Sequence, residues 1–117
     1  SDLGAYSGVW VYAEYRNGGL APVGKELLGA GRALADARGV ELAAVLLGHD
    51  TGDAAADLVA HGADKVYVAD DRAFAHFRDD VYAATLEGLI RRHKPEIVLA
   101  GATAMGRSFI PTVATAL

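Results

Sequence analysis

The string Gly101-Ala102-Thr103-Ala104-Met105-Gly106-Arg107-Ser108 holds two glycines with four residues between them, then a cation and a hydroxyl. It follows an apolar run and precedes a helix-like pattern. Free N–H groups at the start of a helix attract anions, so this is the outline of a phosphate-binding loop. The string departs from that outline at Arg107, where lysine is usual, and it follows the fourth apolar run of the chain rather than the first. The alternative reading is a tight strand-to-helix turn that takes glycine for its backbone. A second string, Glu14-Tyr15-Arg16-Asn17-Gly18-Gly19, leaves the first apolar run at its carboxyl end, where open α/β sheets bind ligands. If these two runs are neighbouring strands, Glu14, Arg16, Gly101, Thr103, Gly106 and Arg107 bound one cleft. Such a cleft suits a nucleotide, or else a contact with another subunit.

The remaining reactive residues fit plainer roles. His49, His61, His76 and His93 are scattered, and none forms the i, i+4 pair of a helical metal site. His49-Asp50 is a conceivable ligand pair, but a solvated loop and helix cap is the simpler assignment. Asp70-Asp71 and Asp79-Asp80 offer charge to a divalent cation, though acidic pairs at loop ends usually serve as caps. Arg91-Arg92-His93-Lys94 sits where cations complement a helix dipole. His76 reads as surface or loop packing, Trp10 and Tyr12 as core or subunit-face residues. Ser7 and Ser108 have no histidine partner in view, so no catalytic residue is identified. The absence of cysteine excludes disulfides, thiolate zinc, iron–sulfur clusters and thiol catalysis.

Four apolar runs must position these residues: 8–14, 40–48, 65–69 and 96–101. The second and fourth barely alternate, as in strands covered on both faces of a parallel sheet. Helical patterns lie between them. The first starts at Pro22 and ends at Gly39, with Val23, Leu27 and Leu34 towards the sheet. Its Gly24, Gly29 and Gly31 each weaken a helix by up to ~1 kcal/mol relative to alanine, so close packing must compensate. The second is capped by Asp50 or Thr51, ends at Gly62 and buries Leu58 and Val59. The third starts near Asp79 or Asp80, carries Tyr82, Leu86, Leu89 and Ile90, and stops before Pro95. A fourth begins after Gly101. This alternation predicts an α/β fold: a three-layer, open, mainly parallel sheet with flanking helices, Rossmann-like and similar to adenine-nucleotide hydrolases.

With 117 residues, 52% hydrophobic and 22% charged, the chain suits one globular domain, here a lead-in at 1–7 and a domain at 8–117. The pattern at Ile110–Leu117 has no cap or polar tail, which predicts a domain incomplete at its C-terminus. A formal charge of −4 argues against nucleic-acid binding. No apolar run approaches the ~20 residues of a membrane span, and residues 1–4 lack the features of a signal peptide.

Several ordered motifs resemble electron transfer flavoprotein alpha subunits. Residues 8–18 look like that family's first strand and turn, and Leu27-Leu28-Gly29-x-Gly31-Arg32-x-Leu34-Ala35 like its first helix. Gly62-Ala63-Asp64-Lys65-Val66, Lys94-Pro95, Gly101-Ala102-Thr103-x-x-Gly106-Arg107 and Pro111-x-Val113-Ala114 follow in order. The lead-in Asp2-Leu3-x-x-Tyr6 is similar to members that serve electron-bifurcating dehydrogenases. Thr112 departs from the pattern, since the family often has a basic residue there. The resemblance implies an N-terminal scaffold domain in a flavin-based electron carrier. It implies FAD held mainly by a C-terminal domain absent from this chain, which leaves this segment without a cofactor of its own or only at a flavin edge. The implied partners are the beta subunit and, through the complex, acyl-CoA or related dehydrogenases. The implied location is the cytoplasm in a bacterium or archaeon, or the mitochondrial matrix. The competing reading is an adenine-nucleotide-binding domain of the universal-stress type, with the Gly101–Arg107 turn as its phosphate cradle.

Overall fold

The computed structural model describes residues 6–101, apart from the side chain of Asp79. In chain order these residues form β1 (Val9–Ala13), β2 (Tyr15–Arg16), β3 (Gly19–Leu20), α1 (Pro22–Arg38), β4 (Leu42–Gly48), α2 (Ala54–Ala60), β5 (Lys65–Asp70), a 3-10 turn at Arg72–Phe74, α3 (Asp79–His93) and β6 (Ile97–Leu99). The main sheet runs β5-β4-β1-β6, and every neighbouring pair is parallel. The first and fourth apolar runs are therefore neighbours, with Val9, Trp10 and Val11 opposite Ile97, Val98 and Leu99. Because β4 lies on one side of β1 and β6 on the other, the strand order reverses between β1 and β6. That reversal is where open sheets of this type form their ligand crevice.

Strand alternation divides the core into two layers. Val9, Val11 and Ala13 of β1 join Leu42, Ala44 and Leu46 of β4 against Leu28 and Ala35 of α1 and Leu58 of α2. Trp10 and Tyr12 join Ala43, Val45 and Leu47 against Tyr82, Leu86 and Ile90 of α3. With helices on both sides, all seven residues of β4 are buried, which explains its unbroken apolar run. Trp10 and Tyr12 are core residues. Burial pushes the Tyr12 hydroxyl pKa well up, and the nearby Tyr82 and Glu14 add to the effect.

The fully buried line of α1 is Gly24, Leu28, Gly31 and Ala35, rotated one position from the expected Val23, Leu27 and Leu34, of which Leu27 and Leu34 still pack half-buried against the same core layer. The glycines cause the rotation. A Cβ on Gly31 would lie 2.8 Å from Leu42 Cδ1 and 3.0 Å from Val11 Cγ2, so the helix backbone itself rests on the sheet there. Gly29 faces open space and makes no such contact. The helix ends at Gly39 in the left-handed conformation, as expected.

Two helix boundaries differ from expectation. α2 runs from Ala54 with Asp53, not Asp50 or Thr51, at its N-cap position, because the Thr51 hydroxyl and both amides are drawn to Asp70 instead. Its Leu58 is buried, but Val59 is 51% exposed, since seven residues present only one narrow face. α3 runs from Asp79 to His93 with its basic residues in the last turn, and Lys94 closes it in the left-handed conformation. The expected fourth helix lies outside the described residues.

Two motifs separated by some thirty residues meet in one clamp. Arg32 on α1 donates from Nη1 to the Gly62 carbonyl at 2.9 Å and to Asp64 Oδ1 at 3.1 Å. Asp64 Oδ2 in turn accepts the Leu42 amide at 2.8 Å, which joins α1, β4 and the entry to β5. The amide and then the guanidinium hold the Asp64 carboxyl below the usual carboxylate range.

Candidate functional site

The Glu14–Gly19 string folds as a hairpin, not as an open loop. Tyr15 pairs with Leu20 and Arg16 with Gly19 in antiparallel register. Asn17 and Gly18, at φ of 55° and 78°, supply the left-handed pair that a two-residue turn needs. The hairpin rises from the carboxyl end of β1, and two contacts lock it to the loop after β4. The Tyr15 hydroxyl donates to the Asp50 carbonyl at 3.0 Å. The Tyr15 ring also packs where a Cβ on Gly48 would lie, 2.8 Å from Tyr15 Cδ1 and 2.9 Å from Thr51 Cγ2.

Asp70, the last residue of β5, holds the same loop from the other side. Its carboxylate accepts the Asp50 amide at 2.8 Å, the Thr51 amide at 3.0 Å and the Thr51 hydroxyl at 3.1 Å. These donors hold its carboxyl below the usual range, the Thr51 amide first. His49, Asp50 and Asp70 place ligand atoms within 4.8 Å of one another, a spacing that would suit a cation. Both Asp70 oxygens are already committed to amides and Asp50 is exposed, so the geometry is that of a loop brace. Asp71 is likewise a cap, accepting the Ala73 amide at 2.9 Å.

Between the hairpin and the 74–77 segment lies an open cleft of about 720 Å³. Tyr15, Arg16, Asn17 and Gly18 line it from the hairpin, His49 from the end of β4, and Phe74 to Phe77 with Tyr82 from the aromatic side. The aromatic wall is organised from within. Phe74 and Tyr82 meet edge-on with ring centres 5.1 Å apart, Phe77 lies 4.9 Å from Tyr82, and the Tyr82 hydroxyl donates to the Phe74 carbonyl at 3.0 Å. Burial raises the Tyr82 pKa.

Of the residues expected to bound a cleft, Arg16 lines this one. Glu14 stands at the root of the hairpin, its carbonyl accepting the Ala21 amide at 2.9 Å, but its side chain is buried at 1% exposure. Gly101, the last described residue, follows β6 beside β1. Thr103, Gly106 and Arg107 lie outside the described residues. Sequence reasoning missed Phe74, Phe77, Tyr82 and His49 as cleft residues, because three separate segments contribute them and no spacing connects those segments. The dipeptide Asn17-Gly18 was the readable sign of the hairpin.

Residues 9–117 match the family model described as "Electron transfer flavoprotein domain". The chain is 51% identical over 112 residues to "Electron transfer flavoprotein subunit alpha" of Clostridium acetobutylicum, which covers 96% of this chain and 33% of that protein. It is 46% identical over 116 residues to "Protein FixB" of Azorhizobium caulinodans, covering 97% and 31%. It is 39% identical over 117 residues to "Acryloyl-CoA reductase electron transfer subunit beta" of Anaerotignum propionicum, covering 100% and 32%. The chain thus spans about a third of the length of these relatives.

Proposed function

Since the chain belongs to the electron transfer flavoprotein family, we propose that it is the N-terminal scaffold domain of an alpha-type subunit, within a carrier that passes electrons between dehydrogenases and an acceptor. The observation that carries this reading is the match across residues 9–117, with relatives of the same type covering nearly the whole chain. Nothing in the comparisons favours the universal-stress alternative. In this reading the FAD of the intact protein is held mainly by a further domain, and the partner is a beta-type subunit. The domains at 1–7 and 8–117 form the alpha-type lead-in and scaffold. The Anaerotignum relative, named for acryloyl-CoA reductase, supports an acyl-CoA-linked redox enzyme as the wider partner. The cytoplasm of a bacterium is the setting that these relatives suggest. No described helix is long and apolar enough to cross a membrane.

The shared motifs support a scaffolding role, because the described ones do structural work. Gly31 and Arg32 seat α1, and Gly62 and Asp64 receive Arg32. The test is deletion of residues 1–117 from the parent protein co-expressed with its beta-type subunit. The expected outcome is a remaining flavin domain that keeps its FAD but no longer co-purifies with the beta-type subunit, while residues 1–117 alone are colourless. A deletion variant that still forms the full heterodimer, or a 1–117 chain that purifies yellow, would overturn the reading.

A further inference from the structure

We infer that the cleft between the β2–β3 hairpin and the 74–77 segment is a binding site for a phosphate monoester on a planar heteroaromatic ring, of nucleoside-monophosphate size. The proposal does not depend on the family reading. It concerns a site distinct from the Gly101–Arg107 turn and a ligand other than FAD.

The position is the first support. The cleft opens at the carboxyl edge of a parallel sheet, and its lining comes from the segments that follow β1, β4 and β5. Its volume of about 720 Å³ falls within the ~300–1,000 Å³ of small-molecule sites. The second support is its two-sided chemistry. Arg16, His49 and His76 line it, and among the described residues no carboxylate does, although the whole chain carries a charge of −4. Asp50 and Asp70 stand beside His49, at 3.4 and 4.0 Å, without lining the cleft. Arg16 makes no ion pair among the described residues, whereas Lys25, across the hairpin, is neutralised by Asp57 at 2.9 Å. An exposed guanidinium without a carboxylate partner is a donor fork available to a phosphate.

The third support is the wall opposite. Phe77 is half-buried and lines the cleft, and its contact with Tyr82 fixes its tilt at 60°. Base-on-aromatic contacts add ~1–3 kcal/mol each and tolerate many rings, so ring identity is left open and the phosphate sets orientation. The rim is also pre-organised: Tyr15 and Asp70 hold the hairpin and the His49–Thr51 loop in register, which lowers the entropic cost of binding.

The test is calorimetric titration of the 117-residue chain with AMP, adenosine and inorganic phosphate as separate probes. The expected result is saturable binding of AMP at one site per chain, with adenosine and phosphate each at least about tenfold weaker. Arg16→Ala should weaken AMP about tenfold and leave adenosine unchanged; Phe77→Ala should weaken both AMP and adenosine about tenfold. Arg92→Ala, on the exposed end of α3, should change nothing. Arg16 is the exposed residue of its two-residue strand, so its variant keeps the test valid if Phe77→Ala does not fold. Absence of AMP binding at millimolar concentration, phosphate binding as tightly as AMP, or AMP affinity unchanged in Arg16→Ala would each overturn the proposal. All three outcomes would leave the scaffold reading standing.

Discussion

The two ends of β5 use the same device for different purposes. At the amino end, Asp64 accepts the Leu42 amide, and its own amide donates to the Leu42 carbonyl at 2.8 Å. At the carboxyl end, Asp70 accepts the Asp50 and Thr51 amides, and the following Asp71 amide donates to the Gly48 carbonyl at 3.0 Å. Each end thus ties β5 to β4 through a carboxylate and a returning backbone bond. The amino end is then closed by Arg32, whose guanidinium bridges Asp64, Asp36 and the Gly62 carbonyl. At the carboxyl end no guanidinium reaches Asp70 among the described residues, and Arg16, which lines the cleft, makes no ion pair among them. The difference separates a finished structural joint from an edge with a charge still to be matched.

The largest expected effect breaks the closed joint. Asp64→Ala strands the Leu42 amide and leaves Arg32 with one carboxylate fewer. An unsatisfied amide costs about 1–3 kcal/mol, and here the lower half of that range applies because the carboxylate is 41% exposed. Asp70→Ala should cost less in global stability, since the amides it releases lie in a surface loop. Its mark should instead be faster hydrogen exchange at Asp50 and Thr51. Urea denaturation of both variants checks the ranking, and equal losses would mean that the two ends do not differ in kind.

What the sequence disclosed follows the same division. The residues of the closed joint were legible only as ordered motifs of a family resemblance, Gly31-Arg32 and Gly62-Ala63-Asp64, and their meeting across some thirty positions was not. The buried β4 was legible from its own residues: seven residues covered on both faces leave no polar alternation. The open edge was not legible. A strand of two residues such as Tyr15–Arg16 has no period to read. The start of α2 shifted because Thr51 bonds to a residue nineteen positions away, a tertiary contact that overrides its capping tendency. The cleft walls come from 15–18, 49 and 74–82, and only the β5-β4-β1-β6 order brings them together.

A smaller effect appears in acid. Asp57, Asp64 and Asp70 are all held below the usual carboxylate range: Asp57 chiefly by Lys25, the other two chiefly by backbone amides. Groups whose pKa is depressed on folding add stability that is complete above the unfolded value, near ~3.9, and is lost as pH falls through the folded value. Stability should therefore be level near neutrality and fall below about pH 4. Asp64→Asn and Asp70→Asn should each shallow that fall. Urea midpoints measured across the range would show it, and an acid limb that neither variant changes would place the titration elsewhere.

The smallest effect separates the two arginines. Arg32 is 32% exposed and makes four polar contacts to three partners on α1 and on the α2–β5 connection, so Arg32→Ala removes both packing and charge-assisted bonds. Arg16 lies on the exposed side of a two-residue strand and pairs with no carboxylate among the described residues. Its backbone, not its side chain, joins the hairpin through Gly19. Arg16→Ala should therefore leave unfolding stability within about 0.5 kcal/mol of the parent, the range of surface substitutions away from structural features, while Arg32→Ala falls clearly outside it. That outcome would leave the Arg16 side chain to the cleft that it lines. A stability loss in Arg16→Ala as large as that in Arg32→Ala would make the hairpin cation a second structural clamp and erase the contrast between the two edges.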